Sequence, residues 1–129
     1  YGDLHQVLPR TDWLVLACPL TAQTRRLIDA EALAALPRGA HLINVARGEV
    51  VDEAALVQAL QTGHLAGAYL DVFEHEPLAT TSPLWDMPQV IATPHSAGFS
   101  DGNAKRVEQL FLDNLRRWSR GEALFPLAT

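Results

Sequence analysis

Four short apolar runs, each opening onto polar or turn-forming residues, constrain this chain more than any other feature. They are WLVLAC (13–18), AHLINVA (40–46), AGAYLDVF (66–73) and VIAT (90–93). None alternates strictly between apolar and polar residues, which is the pattern of strands covered on both faces of a parallel sheet. Between the first two, DAEALAAL begins at Asp29 as an N-cap, carries Glu31 where the helix dipole favours an acid, and is stopped by Pro37 and Gly39. DEAALVQALQTG repeats the design, with Asp52 as cap, Leu56 and Leu60 on one face and Gly63 as the stop. A last helix, from about 101 to 118, places Val107, Leu110, Phe111, Leu115 and Trp118 on one stripe. The order β-α-β-α-β-loop-β-α predicts an α/β fold, a parallel sheet with helices on both faces, and one long irregular connection, EHEPLATTSPLWDMP.

With 129 residues, 48% of them hydrophobic, the chain can bury a sizeable core, and one compact domain is the default. A formal net charge of −5 argues against nucleic acid as a partner. Arg116, Arg117 and Arg120 around Trp118 read instead as cations meeting the dipole at a helix C-terminus. Cys18 is the only cysteine, so there is no intrachain disulfide and no thiolate zinc site, and a reducing, cytoplasmic setting is expected. No apolar run has the length of a membrane span, and no membrane partner is expected. The sequence opens at Tyr1 without Met and enters an apolar strand within about a dozen residues. It reads as a piece of a longer protein.

Ligands of open parallel sheets bind at the carboxyl ends of the strands, so the residues after each run matter most. Cys18, Pro19, Leu20 and Thr21 end the first run, Arg47 and Gly48 follow the second, Asp71 and then Glu76 the third, and His95 the fourth. A histidine is the usual proton donor or acceptor near neutral pH, and a carboxylate beside it fixes its tautomer. Glu76 and His95 are candidates for that pair, with Glu74 a competitor for the carboxylate. Arginine grips a carboxylate through two parallel hydrogen bonds, so Arg47 suits a substrate bearing one. Asp71 can accept from a bound amide or hydroxyl, or it can cap a turn. His5, His41, His64 and His75 show no metal-ligand spacing, and no metal is expected. Cys18 reads as a packed thiol, because no basic partner stands near it in sequence.

Beyond these residue-level readings, NVARGEVVDE, LDVFEHEP and TPHSAG, in that order, resemble the D-isomer-specific 2-hydroxyacid dehydrogenases. The likeness runs over roughly 12–122, and SPLW before the last strand points toward the glyoxylate/hydroxypyruvate reductases. It implies the second half of a Rossmann-like NAD(P)-binding domain over 1–122, followed by a C-terminal tail over 123–129. It also implies an oxidoreductase moving a hydride between NAD or NADP and a small 2-oxo or 2-hydroxy acid, with Arg47, Glu76 and His95 as its catalytic residues. The implied cofactor contacts are Cys18 and Pro19 beside the adenosine half, Thr24 in the next turn, Val45, Ala46 and Arg47 near the nicotinamide, Asp71 on the carboxamide side, and His95, Ala97 and Gly98 next to the ring. A homodimer is implied as well. A rival from the same resemblance is an NAD(H)-sensing, partner-binding corepressor without significant turnover. The eight glycines contain no GxG, so the fingerprint that cradles the pyrophosphate is missing, as is the family's substrate domain. Weak or no turnover by these 129 residues alone is therefore expected.

Overall fold

The computed structural model describes residues 4–125, which divide after Ser96 into two compact units. The first holds a short helix α1 (Leu4–Val7), strand β1 (Trp13–Leu16), helix α2 (Ala30–Ala35), strand β2 (Ala40–Asn44), helix α3 (Glu53–Gln61), and strands β3 (Leu65–Leu70) and β4 (Val90–Ala92). All pairings are parallel, in the order β1-β2-β3-β4. Asp29 caps α2 by accepting the Ala32 N–H at 2.9 Å, and Asp52 caps α3 by accepting the Ala55 N–H at 3.1 Å. Asp52 is also paired with Arg26 across the turn that precedes α2.

The core lies between one face of the sheet and the two crossover helices. Leu42, Ala68 and Leu70 from the strands bury against Leu33 and Leu36 of the α2 segment and Leu56 and Leu60 of α3. Helices on both faces were the expectation, but α2 and α3 pack against each other on a single side. The strand order explains this: right-handed crossovers that always step in the same direction leave their helices on the same face. On the opposite face Trp13 stacks on His41 at 4.2 Å, and Trp13, Val15 and Ile91 are each more than half exposed.

The apolar runs outlast the strands. Cys18, Val45, Ala46 and residues 71–73 lie beyond the ends of the strands, in loops at the carboxyl edge. Their apolar character reflects burial of the loops that form the site, since Ala46, Val72 and Phe73 are all buried.

In the second unit helix α4 (Asn103–Ser119) follows Gly102, whose φ of +78° is a left-handed conformation that suits glycine. Val107, Leu110, Phe111, Leu115 and Trp118 are exposed along it, and Arg116 and Arg117 occupy its last turn. Asn114 exchanges two hydrogen bonds with the backbone of Phe125, which returns the chain along the helix. Of the tail read over 123–129, residues 126–129 lie outside the described residues.

Candidate active site

The turn after β2 is built around two features. Asn44, the last residue of the strand, is 1% exposed; its Oδ1 accepts the Ala46 N–H at 3.0 Å and its Nδ2 donates to the Arg47 carbonyl at 3.1 Å. Gly48 then passes so close to the loop after β3 that a Cβ there would sit 1.9 Å from the Phe73 carbonyl carbon and 2.0 Å from its oxygen. The Arg47 backbone is thereby set against the segment that carries Glu76. Its exposed guanidinium donates to the Ala46 carbonyl at 2.6 Å.

Glu76 Oε1 accepts the Phe73 N–H at 3.0 Å, which folds the carboxylate back toward the sheet edge. Its Oε2 accepts from His95 Nδ1 at 2.8 Å. Glu74, the competing acid, is not the residue bonded to His95; its backbone N–H donates to Glu53 Oε2 at 2.9 Å. Burial pushes the Glu76 carboxyl up, but the His95 hydrogen bond, the Phe73 N–H and the charges of His95 and Arg47 outweigh it and hold the group below its ordinary value. Arg47 is thus close enough to act on the same carboxylate that orients His95.

His95 adopts φ +52°, a left-handed conformation uncommon outside glycine. Asp71 holds it there. Its carbonyl accepts the His95 N–H at 2.9 Å, and its buried Oδ1 accepts the Ser96 N–H at 2.9 Å and the Thr93 hydroxyl at 2.5 Å. The Thr93 hydroxyl also lies 3.1 Å from that of Tyr69. His95 and Glu76 border an open cavity of about 530 Å³, walled by Phe73, Leu78, Trp85 and Pro94.

A second concavity, of about 480 Å³, opens between the ends of β1 and β2, lined by Cys18, Pro19, Leu20, Val45, Ala46 and Arg47. Five of the residues expected to touch a cofactor therefore share one surface. Thr24 does not join them, because it has no exposed surface. Its hydroxyl donates to the Pro19 carbonyl at 2.7 Å and accepts the Thr21 N–H at 2.7 Å, so it braces the loop from inside. Ala97 and Gly98 begin the second unit and are exposed. No three His, Cys, Asp or Glu side chains among the described residues are grouped to hold a metal ion, and no described helix is long and apolar enough to cross a membrane.

Asn44, Thr93 and Ser96 escaped the sequence reading. For Asn44 a signal existed: it is the one polar member of the buried alternation Ala40, Leu42, Asn44. Thr93 and Ser96 gave none beyond flanking His95.

The depressed carboxyl has a stability consequence. Glu76 is more acidic folded than unfolded, so its contribution is present above its ordinary value of 4.5 and is lost as pH falls through the folded value. Urea unfolding should show Glu76→Gln less stable than the parent at pH 7, with the gap closing below pH 4.5. An undiminished gap in acid would count against the carboxylate's role in the fold.

The family profile described as D-isomer specific 2-hydroxyacid dehydrogenase, NAD binding domain, matches residues 1–97. (S)-sulfolactate dehydrogenase of Chromohalobacter salexigens is 47% identical over 114 residues, covering 88% of this chain and 37% of that protein. Glyoxylate/hydroxypyruvate reductase B of Pectobacterium carotovorum is 43% identical over 120 residues, covering 93% of this chain and 38% of that protein. The crystal structure of a D-isomer specific 2-hydroxyacid dehydrogenase from Xanthobacter autotrophicus Py2, in complex with NADPH and MES, superposes with a TM-score of 0.93 at 47% identity, covering 99% of this chain and 52% of that one. The chain thus spans a little over a third of the length of these curated relatives.

Proposed function

The chain belongs to the D-isomer specific 2-hydroxyacid dehydrogenase family, and on that premise we propose that it forms part of an oxidoreductase acting on small 2-oxo and 2-hydroxy acids such as glyoxylate and hydroxypyruvate. The observation that carries this reading is the Glu76–His95 pair at 2.8 Å, on the sheet edge where Arg47 also acts on Glu76.

In the reducing direction His95, protonated, gives its proton to the substrate carbonyl oxygen from the ring nitrogen that does not face Glu76. Glu76 holds the imidazole in that orientation. Arg47 grips the substrate carboxylate with its planar fork and stabilises the negative charge that develops on oxygen. NADH or NADPH, when bound, would supply the hydride. Cys18, Pro19, Val45 and Ala46 are assigned to its flank, with Ala97 and Gly98 toward the ring, while the buried Thr24 and Asp71 shape the turns behind it. The fit is partial, since no GxG occurs among the glycines to cradle a pyrophosphate. Residues 1–122 are read as the later part of the NAD(P)-binding domain and 123–129 as its tail. The assembled enzyme is read as a cytoplasmic homodimer.

The test is oxidation of NADPH or NADH by the intact protein with glyoxylate or hydroxypyruvate. Turnover is expected there and none from the 129-residue chain alone. Absence of turnover by the intact protein with any 2-oxo acid would defeat the proposal. No observation favours the NAD(H)-sensing corepressor reading. Within the enzyme, Arg47→Lys should raise KM for the 2-oxo acid about ten- to a hundredfold, the loss of one hydrogen bond between charged groups. Steady-state kinetics check this, and unchanged KM would remove Arg47 from the substrate's carboxylate.

A further inference from the structure

We propose that Asn44 is a positioning residue for Arg47: its buried amide bridges the Ala46 N–H and the Arg47 carbonyl, and so sets the direction in which the guanidinium leaves the sheet. The inference rests on the reading of Arg47 as the carboxylate grip, and adds a residue that touches neither substrate nor cofactor.

The geometry leaves the side chain little else to do. Asn44 continues a buried alternation of Ala40 and Leu42, where an apolar residue would pack without needing partners. Its amide instead spends both ends on the next three residues, at 3.0 Å to Ala46 and 3.1 Å to Arg47. The Arg47 carbonyl receives a second hydrogen bond from the Val50 N–H at 3.2 Å, so it is held from both sides of the turn. Asn44 is itself fixed, because its carbonyl accepts the Asp71 N–H at 3.0 Å and its Cα is in register with Leu70 of β3. The same Asp71 holds the His95 turn through its own carbonyl. Asn44 therefore ties the direction of the guanidinium to the backbone frame that carries the imidazole. A misplacement of about 1 Å in such a frame is enough to lower a rate by about a hundredfold.

The test is a double-mutant cycle in the intact protein, with kcat/KM for glyoxylate and hydroxypyruvate and thermal unfolding measured on each variant. Asn44→Ala is expected to lower kcat/KM about ten- to a hundredfold in the parent, and to cause little further loss when Arg47 is already Ala. The fall in Tm should be the same in both backgrounds. A purely structural role would instead lower kcat/KM by the same factor in both. Asn44→Ser provides a second probe that disturbs the core less: its hydroxyl can accept the Ala46 N–H but is too short to reach the Arg47 carbonyl. Its Tm should lie nearer the parent, while its kcat/KM falls with that of Asn44→Ala. Parent-like kcat/KM in folded Asn44→Ser, or equal losses with and without Arg47, overturns the proposal. If Arg47→Ala is impaired and the Asn44 variants are not, only this inference falls. If Arg47→Ala is itself unimpaired, the reading of Arg47 falls with it.

Discussion

His95→Asn in the intact protein should lower kcat by about a hundred- to ten-thousandfold, the usual contribution of a positioned general acid or base. Asparagine is a better probe than alanine because His95 has φ +52°, and asparagine tolerates the left-handed region where alanine is strained. The N–H of residue 95 can still donate to the Asp71 carbonyl, so the turn survives the substitution. What disappears is the imidazole that Glu76 orients at 2.8 Å, and with it the proton donor assigned to the substrate carbonyl. KM should move much less than kcat, since the substrate carboxylate is assigned to Arg47. Steady-state kinetics with a parallel thermal unfolding curve separate the two effects. Retention of parent-like kcat by a folded His95→Asn protein would refute the acid/base role.

Gly48→Ala should be the most damaging single methyl in the first unit. Its Cβ would fall 1.9 Å from the Phe73 carbonyl carbon and 2.4 Å from the Glu74 nitrogen, both backbone atoms that no rotamer change can clear. The loop after β3 must move or the turn after β2 must open. Either outcome places the substitution among those destabilising by more than about 4 kcal/mol, a large share of the roughly 5–15 kcal/mol typical of a domain. Because the Phe73 N–H anchors Glu76, the same displacement should loosen the Glu76–His95 pair. Gly39→Ala is the control. Gly39 has φ +90° but open space around it, so alanine there should cost about 1 kcal/mol of backbone strain and leave the site intact. Equilibrium denaturation of the two variants should rank Gly48 far above Gly39, and similar losses would contradict the close approach.

These two cases mark where the sequence was and was not legible. Helix starts were readable because an Asp N-cap acts on a backbone N–H three residues on, as Asp29 and Asp52 do. Parallel strands were readable from apolar runs, but their ends were not, because Ala46, Val72 and Phe73 are buried in loops and buried loops are as apolar as strands. The placement of both crossover helices on one face depended on strand order, which local pattern does not encode. Arg47 stood out only within NVARGEVVDE at a strand end, because an arginine taken alone is more often a surface ion-pair partner. The choice of Glu76 over Glu74 depended on the path of a long loop, resolved by the Phe73 and His95 contacts of Glu76. Thr24 entered only through the family resemblance, and that its hydroxyl turns inward on the Pro19 carbonyl is not encoded in the local sequence.

The central claim, that Arg47 and His95 act on one substrate from one sheet edge, is tested most directly by a crystal structure of the intact protein with NADP and oxamate, a 2-oxo acid mimic. The oxamate carboxylate is expected to pair with the Arg47 guanidinium, with its carbonyl oxygen within hydrogen-bond reach of His95 Nε2. Oxamate bound with its carboxylate on another cation, or with its carbonyl out of reach of His95, would contradict it.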